Sequence, residues 1–375
     1  MSEKKIIFPD DKNSIAALPN SVLKWFGMEQ NGESLPLLDE YLKKEYKNVV
    51  IMLLDGMGTC ILEKNLEKDG FFRSHLKGSY LSVFPSTTVA ATTSAMSGML
   101  PAEHAWLGWD CYYPQLDKNV TTFLNVEKGT EIPAADYNVA WTYTGYEGVV
   151  QKINRLGGKA YGAMPFVEPF PDTFEKICDR ILTLCKEPGK KYIYSYWNEP
   201  DSTMHKQGCY CDNSAEVLRN LEKQVQALTE QLQDTLFIVT ADHGHMDSKC
   251  VALEDYPTLM ECLVRMPSIE PRVLNLFVKE EKRQQFEEEF TRYFGQDFLL
   301  WPKQKVLDEK LFGDGTEHPI FRDMLGDYLA IAVGDVSIFD TREEADIFIG
   351  VHAGLLEDEM TIPFVVIEKK EMSKR

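Results

Sequence analysis

Several Asp and His residues in this chain stand where short apolar runs end. "IMLLDG" places Asp55 just after one run, "YSYWNEPD" places Asp201 just after another, and "FIVTADHG" places Asp242 and His243 after a third. His205 follows Asp201 by four residues, and His352 lies in the Gly-flanked "GVHAG" before the last apolar run. A lone Asp after a strand is ordinarily a turn former or a helix cap. Three aspartates and three histidines in such places form a mixed oxygen and nitrogen ligand set. That set suits two Zn²⁺ ions, with Mn²⁺ as the harder alternative. Paired divalent ions are a recurrent device for phosphoryl chemistry.

A second feature is "FPSTTVAATTSAMSG", residues 84–98, a run of small hydroxyl and apolar residues without a charge. Residues 88–97 are small enough for a slim helix packed close to a sheet. Its entrance offers unpaired N–H groups and the positive end of the helix dipole, a natural place for a phosphate. A hydroxyl bound there to a divalent cation loses its proton and becomes a nucleophile. Ser86, Thr87, Thr92, Thr93 and Ser94 are read as caps or packing. The residues alone do not choose the nucleophile.

The elements that must position these groups are apolar runs read as buried parallel strands. They are "NVVIMLL" (48–54), "KAYGAM" (159–164), "KYIYSYW" (191–197), "TLFIVTA" (235–241) and "IPFVVI" (362–367). The clearest helix spans 214–232, with Leu218, Leu221, Val225, Leu228 and Leu232 on one stripe and Asn213 as its expected cap. Alternating strands and helices predict an α/β fold, a doubly wound, mostly parallel sheet with helices on both faces. In such sheets ligands bind beyond the carboxyl ends of the strands. Residues 268–325 read as a small α/β insertion, with Phe286, Phe290 and Phe294 along one helix. Residues 1–267 and 326–375 make the core, resuming at "DYLAIAVG" (327–334).

Composition sets limits on partners. The net charge of −19, with 59 acidic and 40 basic residues, argues against nucleic acid or an anionic membrane surface. The N-terminal "MSEKKIIFPDDKNS" lacks the apolar segment of a signal peptide, and no run approaches a membrane span. The eight scattered cysteines include the C-x-C pair Cys209 and Cys211 but no CxxC. They are read as reduced thiols, and the expected location is cytoplasmic.

Taken in order, "LLDGMG", "FPSTTVAATTSAMSGMLPAEHAWLG", "NEPDSTMHKQG", "TADHGH" and "VHAG" resemble the alkaline phosphatase superfamily, in its type I phosphodiesterase/nucleotide pyrophosphatase branch. The resemblance runs from about residue 48 to the C-terminus, without much of 110–185 and 268–325. It implies an alkaline phosphatase-like fold and two metal sites. Asp55, Thr88, Asp242 and His243 would hold one ion, and Asp201, His205 and His352 the other. Counted back from Gly98, the nucleophile position falls on Thr88, which would carry a phosphothreonine intermediate. The implied substrate is a small phosphorylated molecule, a phosphodiester or a nucleotide pyrophosphate. The superfamily alternatives are a phosphomutase, a phosphonate hydrolase or a noncatalytic metal-binding relative. Sulfatase chemistry is not expected, because neither Ser86 nor Thr88 is followed by the Pro at the second and the Arg at the fourth position that a sulfatase nucleophile motif carries.

Overall fold

A computed structural model describes residues 5–370. Its centre is a six-stranded sheet in the order Leu76–Leu81, Thr361–Lys369, Thr235–Thr240, Asn48–Leu54, Lys191–Trp197, Ala160–Ala163. Asn48–Leu54 runs parallel to both neighbours, with Val50 opposite Ile193 on one side and Phe237 on the other. All seven of its residues are buried, as expected where both faces of a sheet are covered. Helix residues such as Ile177, Ile181, Leu218, Leu221 and Val225 share this core.

Two local expectations change. The last run, Thr361–Lys369, is antiparallel to both of its neighbours. Apolar content reports burial on two faces and not strand direction. The helix Asp212–Glu230 buries Leu218, Leu221, Val225 and Leu228 as its period requires, but Asn213 lies inside it. The cap is Cys211, whose Sγ accepts from the Ser214 N–H at 3.4 Å.

A second sheet has seven strands, in the order Phe298–Pro302, Tyr328–Ala332, Val273–Leu276, Ser268–Glu270, Asp110–Tyr113, Lys118–Thr121, Val126–Glu127. Every pairing in it is antiparallel. Phe286, Phe290 and Phe294 of the helix Arg283–Phe294 pack beneath it. The boundaries 268–325 therefore cut through a sheet. Residues 110–127 supply three of its strands. "DYLAIAVG", read as the core resuming, supplies Tyr328–Ala332 between two strands of the insertion. Long-range antiparallel pairing leaves no mark in the local period of the sequence.

A buried ion pair joins the second sheet to the loops at the edge of the first. Arg272 Nε and Nη2 donate to Glu359 Oε1 and Oε2 at 2.6 and 2.7 Å, with both side chains wholly buried. Glu359 also accepts from the Gly354 N–H, and its own carbonyl accepts from the Gly244 N–H, both at 2.7 Å. One ion pair thus braces the loops carrying His352 and His243. Arg272→Leu leaves a buried carboxylate uncompensated and is expected to cost about 3–5 kcal/mol. A thermal unfolding midpoint unchanged from the parent would contradict this.

Candidate active site

The carboxyl edge of the first sheet gathers the Asp and His residues. Asp55 follows Asn48–Leu54 directly, and Asp242 and His243 follow Thr235–Thr240 after one alanine. Asp201 opens the short helix Asp201–Gln207, which also carries His205 one turn later. A two-residue ladder places Val351 opposite Met246, which brings His352 alongside His243 and His245.

Thr88 is the first residue of the helix Thr88–Ser97, which is slim and buried along most of its length. Gly98 ends the helix at φ +73°, where a Cβ would lie 2.7 Å from Asn20 Oδ1, so glycine is needed there. Most hydroxyls of the segment have structural partners. Ser86 Oγ donates to the Gly354 carbonyl, and Thr92 and Ser97 donate to the carbonyls of Thr88 and Thr93 within the helix. Ser94 Oγ meets His104 Nε2 at 3.0 Å. Thr87 Oγ1 donates to Glu270 Oε1 at 2.6 Å. Thr88 alone faces the acidic edge. Its Oγ1 lies 3.5 Å from Asp55 Oδ1 and 3.2 Å from His243 Nε2.

The spacing in this first cluster fits a metal. His243 Nε2 lies 3.3 Å from Asp55 Oδ1 and 3.5 Å from Asp242 Oδ2. Ligands roughly 2.0–2.2 Å from a tetrahedral zinc stand about 3.3–3.6 Å apart. Asp242 Oδ1 accepts from the Gly56 and His243 N–H groups, while its buried Oδ2 has no hydrogen-bond partner. An orphaned carboxylate oxygen at full burial calls for a cation. Burial and the neighbouring Asp55 hold the Asp242 carboxyl well above its ordinary range. A divalent ion reverses that tendency. Burial alone would lower the His243 imidazole, but Asp242 and Asp55 outweigh it and push it up to about 10.

The second cluster is Asp201, His205, His245 and His352, with ligand atoms all within 4.8 Å of one another. Asp201 Oδ1 lies 3.3 Å from His205 Nε2 and 3.7 Å from His352 Nε2. Asp55, Asp201 and His243 also fall within 4.8 Å, so the two clusters adjoin. Three histidines contact backbone carbonyls through Nδ1: His205 to Gly350, His243 to Gly244 and His352 to Ser86, at 2.8, 2.8 and 3.1 Å. A carbonyl can only accept, so Nδ1 carries a proton, and in the neutral imidazole the Nε2 lone pair is left to face the cluster. Metal-binding histidines are held in this way.

Further neighbours complete the site. His245 puts its Nε2 3.0 Å from Asp201 Oδ1 and is buried. The Tyr196 hydroxyl donates to Asp55 Oδ2 and orients it. Neither Tyr196 nor Glu270 carries any local signal. Glu270 Oε1 accepts from Thr87 Oγ1 and from the Trp109 N–H at 2.8 Å. Burial, opposed by those two hydrogen bonds, pushes its carboxyl up to about 7. Of the aromatics that follow the helix, Trp109 is 42% exposed and lines the cavity, while Trp106 and Tyr112 are packed inside. His104, which accepts from the Trp106 N–H, is buried and braces its turn.

The cavity, about 640 Å³, is lined by strand residues of the second sheet and by the segments at the carboxyl edge of the first. Thr88, Asp201, His205 and His352 form its floor, and Trp109, Glu270, Asp340 and Phe348 stand in its walls. It is a concave site with reactive groups at one end, as enzyme pockets are.

The chain matches the family of type I phosphodiesterases and nucleotide pyrophosphatases over residues 49–354 and belongs to it. It is a phosphoric ester hydrolase with the alkaline phosphatase-like fold, in a metal-dependent family. Among solved structures it is similar to murine ectonucleotide pyrophosphatase/phosphodiesterase 5, with a TM-score of 0.66 and 16% identity, covering 86% of this chain and 88% of that one. The human protein of that name gives 0.65 and 18%, covering 86% and 87%. Phosphonoacetate hydrolase from Sinorhizobium meliloti 1021, in complex with phosphonoformate, gives 0.62 and 14%, covering 88% and 92%. No curated protein matches the chain by sequence. Among the described residues, no helix is long and apolar enough to cross a membrane.

Proposed function

We propose that the protein hydrolyses small phosphodiesters or nucleotide pyrophosphates through a phosphothreonine at Thr88. Asp55, Thr88, Asp242 and His243 would hold one divalent ion, and Asp201, His205 and His352 the other. Zinc is the ion that suits this donor set, with manganese the harder alternative. When bound, the ions supply Lewis-acid charge for the phosphoryl oxygens and lower the pKa of the groups they hold.

In this reading the Thr88 hydroxyl loses its proton to solvent and attacks phosphorus in line. The bond from phosphorus to the leaving oxygen breaks as the bond to Thr88 Oγ1 forms. Water then cleaves the phosphothreonine and restores the hydroxyl. Tyr196 holds Asp55, and the carbonyls of Gly244, Gly350 and Ser86 hold the imidazoles, so little reorganisation is left for the reaction. The supporting observation is that Thr88 alone, among the hydroxyls of 84–98, lies within reach of Asp55 and His243. The eight cysteines are free thiols, which suits the reducing, cytoplasmic location we propose.

A second reading, cleavage of a P–C bond, draws on the structural likeness to phosphonoacetate hydrolase. The test is a panel of diester, nucleotide pyrophosphate, monoester and phosphonate, run on protein of measured metal content. Diester or pyrophosphate turnover above the other two is expected. Turnover of the phosphonate alone would replace the first reading with the second.

A further inference from the structure

Glu270 is a carboxylate that accepts a hydrogen bond from Thr87, the residue before the proposed nucleophile. Its Oε1 is occupied by Thr87 and Trp109, and no protein donor bonds Oε2 among the described residues. The side chain lines the reacting end of the cavity together with Thr87 and Thr88.

The backbone leading to it is strained. Ile269 has φ +80°, a region that β-branched residues almost never enter. Its neighbour Gly108 leaves the room, since a Cβ there would lie 2.8 Å from both the Ile269 carbonyl oxygen and its Cγ2. Strain of this kind persists where the surrounding structure has a use for it. Here it sets Glu270 against Thr87.

The charge balance of the cavity points the same way. Away from the metal cluster, its ionic walls are Asp110, Glu270, Asp340 and Glu344 against Lys128 and Lys206. Lys128 is already tied to Asp340 at 2.7 Å and faces Asp110 at 3.9 Å. No arginine lines the cavity. A phosphomonoester dianion at Thr88 therefore meets repulsion from the nearby Glu270 carboxylate. A diester, with one charge, meets less.

We propose that Glu270 is a specificity-determining residue, a charge filter that favours a singly charged phosphoryl group over a doubly charged one. This rests on Thr88 as the reacting residue. The test compares the metal-loaded parent with Glu270→Gln, which keeps the acceptor for Thr87 and Trp109 but removes the charge, and with Glu270→Asp, which keeps the charge. At pH 8.5, kcat/KM is measured for bis(p-nitrophenyl) phosphate and p-nitrophenyl phosphate, and the affinity for inorganic phosphate is measured by calorimetry.

In Glu270→Gln the monoester-to-diester ratio should rise about tenfold and phosphate should bind about tenfold more tightly. In Glu270→Asp both should stay near the parent values. A merely structural carboxylate would lower both activities together and leave the ratio and the phosphate affinity unmoved, which overturns the proposal. Glu270→Met is the second neutral variant should Gln fail to fold. A parent that turns over neither ester would count against the proposed function, while phosphate affinity would still report on Glu270.

Discussion

Thr88→Ala should lower diester turnover on the order of 10³-fold or more, as when a covalent nucleophile is deleted. Thr88→Ser keeps the oxygen and should retain measurable activity. The comparison with Thr87 makes the test specific. Thr87 is 1% exposed, and its hydroxyl is spent on Glu270. Thr87→Ala should therefore cost far less than Thr88→Ala. Acid quench followed by peptide mapping should place trapped phosphate on Thr88. Near-normal turnover in Thr88→Ala, or phosphate on Thr87, would reject the assignment.

Removal of divalent ions should abolish activity and lower the unfolding midpoint together. Asp55, Asp201 and Asp242 are all buried within one edge of the sheet. Without cations their mutual repulsion opposes the native fold. A ligand present at 100 times its Kd stabilises by about 2.7 kcal/mol, and two such ions would contribute about twice that. Acid should release the ions as well, because carboxylates and imidazoles bind only when deprotonated. The two sites should also fail separately. Asp242→Asn should empty the one that includes Thr88, and His352→Ala the other. Elemental analysis should then fall from about two ions per chain to about one. Full activity in chelated protein, or unchanged metal in both variants, would contradict the two-site reading.

The sequence by itself determined the inner strands and the edge where the reactive groups gather. Fully buried strands such as Asn48–Leu54 are apolar over their whole length, and a run of that kind is visible without a partner. Because Asp55 and Asp242 follow such runs immediately, their place at the carboxyl edge came with the strands. Tertiary structure decided what depends on distant partners. It turned Thr361–Lys369 antiparallel and drew 110–127, 268–276 and 298–332 into one sheet. It carried His245 to Asp201 and Glu270 to Thr87. It also separated hydroxyls that are chemically alike, leaving Thr88 facing Asp55 and His243 while Ser86, Thr92 and Ser97 bond carbonyls, Ser94 meets His104 and Thr87 bonds Glu270. Local composition reports how deeply a residue is buried. The fate of a small polar side chain depends on which partner the fold brings within about 3 Å of it, and for Ser86, Thr87 and Thr88 that partner lies far along the chain.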